Sequence, residues 1–338
     1  MYKRPTIFDL ADYTGVSRGT ISRAFNNQSG INPRTKEKVL KAAREIGYQP
    51  HNGARMMKLS RKGRWGLLLP HLRNPYYSEL VEALSREARL RKTTLLLSLS
   101  LGDEDARDVA EQWTAGETDG IILDQSYYRQ SPEYFELLRK KGVPMVFLHG
   151  RPIPGFDFVH YQLYENCLRN VRNLGALGHV RIAFVGQEFS GCNETGRYLA
   201  YADFHKETGI EIDKKLVVFG DDGYLGGRAA WQQLARLKNA PTAVVCADDI
   251  IACGVLHAAR AQGLRIPRDL SITGVDDIAE AERGALTTIH TSREDAAKAI
   301  LDLLEGRLAE PALQPQIATI PSVLILRDSV GAPRAEKA

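Results

Sequence analysis

The residues of this 338-residue chain most able to do chemistry stand where short apolar runs end: His71, Asp124, His149, Asp248 and Asp276, with Arg197 beside another such run. Carboxylates at such points accept hydrogen bonds from hydroxyl groups. An arginine there presents a rigid fork to paired oxygens. The chemistry implied is ligand holding. Nucleophilic or metal catalysis has no matching motif: G-x-x-x-x-G-K-[ST], H-E-x-x-H and G-x-S-x-G are all absent. The glycine-rich stretch 220–227 lacks the strand-to-helix G-x-G-x-x-G arrangement, and the histidines are too dispersed for a metal site. Four scattered cysteines (Cys167, Cys192, Cys246, Cys253) form no C-x-x-C pair and suit a reducing compartment. No cofactor is expected, and an enzyme is the outlying reading.

The apolar runs read as strands at 65–69, 94–99, 120–123 and 143–148, then at 182–185, 216–219, 243–246 and 271–275, with amphipathic segments between them. Near-continuous apolar strands alternating with helices predict doubly wound parallel sheets covered on both faces, and two series predict two lobes. Segments 287–290 and 317–326 are expected to cross back between the lobes. In open α/β sheets, ligands bind beyond the carboxyl ends of strands. That rule selects His71, Tyr76, Asp124 and His149 in the first lobe, and Phe189, Arg197, Tyr224, Asp248 and Asp276 in the second. Tyr77 reads equally well as core, and Asp249 reads as the cap of the helix that follows it.

The first 64 residues hold fourteen Lys and Arg against Asp9, Asp12, Glu37 and Glu45, a balance of +10, within a whole chain of net charge +4. Such a basic segment is either a solvated face or a polyanion-binding arm. The local pattern favours the arm. Thr6 to Asp9 spells a capping box, Gly15 a sharp turn, Ser17 a second cap, Asn32-Pro33 a third helix start and Gly47 its stop. The result is an all-α helix-turn-helix, whose second helix enters the major groove N-terminus first. Arg18 or Arg23 would contact guanine bidentately, while Gly19 offers no side chain. Thr20, Ser22, Asn26, Asn32 and Thr35 are short polar groups suited to phosphates, and Ile7, Phe8 and Ser17 complete the DNA-facing set. The competing reading is a small helical bundle with no DNA role.

Ile7-Phe8-Asp9-Leu10-Ala11, Gly15-Val16-Ser17, Thr20-Ile21-Ser22-Arg23 and Gly47-Tyr48-Gln49-Pro50 resemble the headpiece of the lactose-repressor (LacI/GalR) family. The resemblance continues through Asn74-Pro75-Tyr76-Tyr77, Leu177-Gly178-His179, Arg197 to Tyr201, Ala247-Asp248-Asp249, Gly274 to Asp277 and Leu286 to Ile289. It implies a body like periplasmic binding proteins, with Arg197 and Asp276 matching a ligand-holding arginine and aspartate. Asp248 stands where asparagine is frequent, and Tyr224 aligns with an aromatic able to stack on a ligand. Trp65, where an aliphatic residue is usual, and Ala200, where glycine is usual, depart from the pattern. The resemblance also implies a hinge helix that folds when two copies meet in the minor groove. Ala54 and Arg55 lie in it, and Met57 replaces the usual leucine wedge. Without the resemblance, that segment reads as a linker.

The expected organisation is a headpiece at 1–48, a hinge at 49–63, a first lobe at 64–161 plus 291–320 and a second at 162–290 plus 321–338. A homodimer would hold a pseudopalindromic double-stranded operator. Acidic groups outnumber Arg197 in the cleft, which argues against a phosphorylated ligand and for a sugar or polyol; a nucleobase is the alternative. The ligand either releases DNA or is required to hold it. No apolar run is long enough to span a bilayer and no secretory signal is seen, so a cytoplasmic regulator is expected rather than a secreted solute-binding protein. Residues 331–338 show no leucine heptad of a tetramer-forming tail.

Overall fold

The computed structural model describes residues 5–25, 31–48, 62–100, 103–187, 196–220 and 223–334. The chain divides into two compact units, Met1–Lys62 and Gly63–Ala338.

In the first unit, α1 (Ile7–Thr14), α2 (Arg18–Phe25) and α3 (Pro33–Ile46) form where the caps predict them. The Thr6 hydroxyl accepts from the Asp9 amide, and the Asp9 carboxylate accepts from the Thr6 amide at 2.6 Å, so both halves of the capping box are made. Gly15 stops α1 at φ 65°, a conformation that a Cβ would strain. Asn32 caps α3 by accepting from the Arg34 amide at 2.9 Å. Leu10, Ile21, Ala24, Val39, Ala42 and Ala43 close a single small core.

The second unit contains two sheets. The larger runs β10-β11-β5-β4-β3-β1-β2, with β1 Arg64–Leu69, β2 Thr94–Leu99, β3 Gly120–Asp124, β4 Met145–Leu148, β5 Asp157–Gln162, β10 Thr288–Thr291 and β11 Ile317–Ile325. The smaller runs β7-β6-β8-β9, with β6 Ile182–Gln187, β7 Val217–Gly220, β8 Ala243–Cys246 and β9 Ser271–Thr273. Within each series the strands are parallel. Their side chains alternate between two buried layers. Leu67 and Leu69 pack with the helices Pro75–Leu90 and Arg293–Ala309, whereas Leu68 meets Phe135, Phe147 and Phe158 on the opposite face.

One element departs from the sequence reading. Strand β5 was not anticipated, because His160 and Gln162 interrupt its apolar run. Strand β10 lies in the segment expected to cross back between the lobes, and it pairs antiparallel with β11 in the larger sheet. It also bridges toward the smaller sheet at Thr273–Thr287 and Asp276–His290, so it stitches the lobes together.

Candidate functional site

The strand order reverses between β1 and β3 in the larger sheet and between β6 and β8 in the smaller. Crevices at such reversals are where α/β sheets hold ligands. The segment after β1 carries His71, Tyr76 and Tyr77, and β3 ends in Asp124. Asn74 caps the helix Pro75–Leu90 and so fixes both tyrosines in its first turn. Tyr77 meets the rings of His71, Tyr76 and His149 edge-on, with centroids 5.3 to 5.5 Å apart. His149, just past β4 at φ 63°, places Nδ1 2.7 Å from the Asp124 carboxylate and Nε2 2.9 Å from the Tyr76 hydroxyl. Tyr76 donates onward to Tyr161 at 2.7 Å.

Asp124 is therefore engaged within the lobe. Its other oxygen caps the helix Gln125–Gln130 through the Ser126 amide and hydroxyl. Burial raises its pKa, but the bonds from His149 and Ser126 outweigh that and hold it below the ordinary carboxylate value.

Asp248 is occupied in the same way. One oxygen caps the helix Asp249–Ala261 by accepting from the Ile251 amide at 2.8 Å, and the other accepts from Gln187 at 3.0 Å. This corrects the expectation for Asp249, which does not cap that helix.

Asp276, just past β9, lies beside Arg197 at the start of the helix Gly196–Thr208. A guanidinium nitrogen of Arg197 lies 3.5 Å from the Asp276 carboxylate, and Arg197 Nε is buried without a hydrogen-bond partner among the described residues. Burial pushes the Asp276 carboxyl up, while Arg197, Arg293 and His149 pull it down. The structure does not bring Tyr224 into this group. Its hydroxyl lies 2.8 Å from His257 Nδ1 and its ring faces Arg228, so it belongs to the contact between the helices Gly223–Leu234 and Asp249–Ala261. Phe189 lies outside the described residues, as do Asn26, Ala54, Arg55 and Met57.

In the small unit, Ser17 accepts from the Thr20 amide, as a cap should, and its hydroxyl pairs with that of Thr20 at 3.0 Å. Arg18, Gly19, Ser22 and Arg23 share the exposed side of α2. The Arg18 guanidinium sits 4.7 Å from the centre of the Phe8 ring, and Arg23 Nε donates to the Gly19 carbonyl at 3.3 Å. Ile7 and Thr35 are half-buried, while Asn32 uses its amide oxygen in capping.

Two family models match the chain. Residues 6–51 match the bacterial regulatory proteins of the lacI family, and residues 171–330 match a periplasmic binding protein-like domain. The HTH-type transcriptional repressor PurR of Pectobacterium carotovorum is 30% identical over 331 residues, covering 96% of each chain. This chain belongs to the lacI family. Another relative, catabolite control protein A of Priestia megaterium, is 28% identical over 332 residues, covering 96% of this chain and 98% of its own. The lac repressor dimer bound to operator and an anti-inducer shares the fold, with a TM-score of 0.84 at 24% identity over 98% of this chain and all of that one. A complex of the transcriptional regulator CelR with cellobiose superposes with a TM-score of 0.71 at 26% identity, over 96% of this chain and all of that one. The lacI-family protein is thus a DNA-binding regulator and not an enzyme.

Sequence reasoning about this lacI-family chain overlooked Arg293, which starts the helix Arg293–Ala309 and is 5% exposed. It donates to the Asp276 and Thr291 carbonyls, pairs with Glu79 at 3.0 Å and lies 4.8 Å from the centre of the Tyr76 ring. It therefore joins residues of both lobes. Its only sequence signal is its place in the first turn after Ser292, an N-cap, where a cation is unfavourable against the helix dipole and so needs another reason. Tyr161 and Glu79 were missed for a simpler reason: neither stands at the end of a recognised strand.

Proposed function

We propose that the protein represses transcription by holding a pseudopalindromic operator as a homodimer, and that a hydroxyl-rich small molecule, a sugar or polyol, held between its lobes sets operator affinity. The observation that carries the ligand reading is the Arg197–Asp276 pair, 3.5 Å apart with Asp276 only 4% exposed. A carboxylate accepting O–H beside a guanidinium donating N–H suits adjacent hydroxyl groups, each both donor and acceptor. Asp124 and Asp248 are turned to capping, so polar recognition falls mainly on this pair. The cellobiose complex of the related regulator CelR supports the same reading.

A nucleobase is the second reading, favoured by the edge-on rings of His71, Tyr77 and His149, which can border a planar ligand. Repression is supported by the 30%-identical PurR repressor, and operator reading by Arg18 and Arg23 on the exposed side of α2. Calorimetry with D-ribose, D-galactose, cellobiose, glucose 6-phosphate, guanine and hypoxanthine tests the ligand class. Heat from neutral sugars alone is the expected result, and tight binding of only the phosphate or a base overturns it. Gel-shift titration on the neighbouring promoter, with and without the binding compound, tests operator control and gives its sign. Sedimentation of the free protein tests the homodimer.

A further inference from the structure

Asp249 is fully buried, yet its carboxylate serves no part of its own helix. One oxygen accepts from the amides of Asp277 and Ile278, at 2.6 and 3.1 Å, and the other from the Thr288 hydroxyl at 2.6 Å. The Asp249 amide donates to the Val275 carbonyl at 2.8 Å. Four bonds thus tie this residue to the segment that carries Asp276 and to β10 behind it.

That segment is strained. Asp276 has φ 113° and Asp277 has φ 62°, two successive non-glycine residues in a region that L side chains rarely adopt. Such conformations persist only where the surroundings over-determine them. The approach of Asp249 is itself built in. A Cβ on Gly274 would lie 2.1 Å from the Asp249 carboxylate, so glycine is required there to admit it.

We propose that Asp249 is a positioning residue of the effector site: its carboxylate holds Asp276 and Asp277 in their left-handed backbone conformations and thereby fixes the Asp276 carboxylate opposite Arg197. The functional part rests on the reading of the cleft as an effector site. An alanine at 249 leaves the Asp277 and Ile278 amides and the Thr288 hydroxyl without this acceptor. The same loop passes its position onward. The Asp276 carbonyl accepts from Arg293, and Asp277 pairs with His290 at 3.0 Å and Arg327 at 2.6 Å.

The test is hydrogen–deuterium exchange on the full-length protein carrying Asp249→Ala, followed in peptides spanning 274–279, 249–254 and 64–69. Loss of this acceptor should speed exchange at the Asp277 and Ile278 amides by about tenfold to a hundredfold. Exchange in the 249–254 and 64–69 peptides should stay as it was. Acceleration confined to 249–254, or none at 274–279, overturns the proposal, because a capping residue would loosen its own helix. Should Asp249→Ala fail to fold, Thr288→Val removes one donor and should speed loop exchange by about threefold or more. Unchanged loop exchange in that variant overturns the proposal equally. A second arm titrates D-ribose, D-galactose, cellobiose and guanine into the unaltered and Asp249→Ala proteins. The compound that binds the former should bind the latter at least about tenfold more weakly. Equal affinity in Asp249→Ala refutes the functional half. If none of the four binds the unaltered protein, the effector reading fails while the exchange result stands by itself.

Discussion

Replacing Arg293 by methionine keeps the length and apolar stem of the side chain and removes its guanidinium. Three attachments go with it: the donations to the Asp276 and Thr291 carbonyls, the ion pair with Glu79 and the contact with the Tyr76 ring. Removing one partner of a buried ion pair costs about 3–5 kcal/mol. Glu79 is 34% exposed, however, so water screens much of its lost partner and the lower end applies. The two carbonyls lose a charged donor, while the desolvation cost of the buried guanidinium is relieved. A net loss of about 3 kcal/mol follows. For a body of this size that is a fall in Tm of about 6 °C, at about 2 °C per kcal/mol. Scanning calorimetry of the full-length protein measures it. The double variant with Glu79→Gln should lose less than the sum of the two single changes, because the pair acts as a unit. A fall below about 1 °C, or strict additivity, would refute the view that Arg293 bridges the lobes.

Other consequences follow from separate parts of the molecule. The helices Gly223–Leu234 and Asp249–Ala261 touch backbone to backbone, and a Cβ on Gly254 would lie 2.1 Å from the Tyr224 carbonyl. Gly254→Ala should therefore destabilise by about 1–3 kcal/mol despite better helix propensity, and an unchanged Tm would contradict the packing. His179 is buried against the Thr242 and Ser271 hydroxyls and the Gly331 carbonyl, and burial lowers its pKa from the ordinary 6.5. The unfolded chain takes up a proton there as pH falls below 6.5 and the native one does not, so stability should drop over that acid window. His179→Gln should flatten that part of the curve of Tm against pH. In the headpiece, Arg18→Ala should cost about 1–3 kcal/mol of operator binding and relax selectivity at one base pair, read by competition with single-base operator variants. A uniform loss across all variants would place Arg18 on phosphate instead.

The headpiece was legible in the sequence because its signals are local. Thr6 and Asp9, Ser17 and Thr20, and Asn32 and Arg34 all interact within three residues, and Gly15 and Gly47 stop helices by their own backbone freedom. The strand-end rule likewise pointed to Arg197 and Asp276, which lie 3.5 Å apart, since parallel strands place their carboxyl ends along one edge whatever the order of the sheet. It could not assign roles. Asp124, Asp248, Asp249 and Asp276 look alike in sequence, yet two cap helices, one buttresses a loop and one faces Arg197. Those assignments depend on which amides and cations come near, and such neighbours are set by packing.

The headpiece helices, the two series of parallel strands and the line of residues along the strand ends were thus determined by the sequence alone, through hydrophobic period and short-range hydrogen bonding. Tertiary structure decided the rest. It turned Tyr224 toward His257, brought β10 beside β11, and set Arg293 against Glu79 and Tyr76 across more than two hundred positions of chain. The reason is physical. Such contacts are made between surfaces that exist only after the sheets have formed, and no local propensity records them.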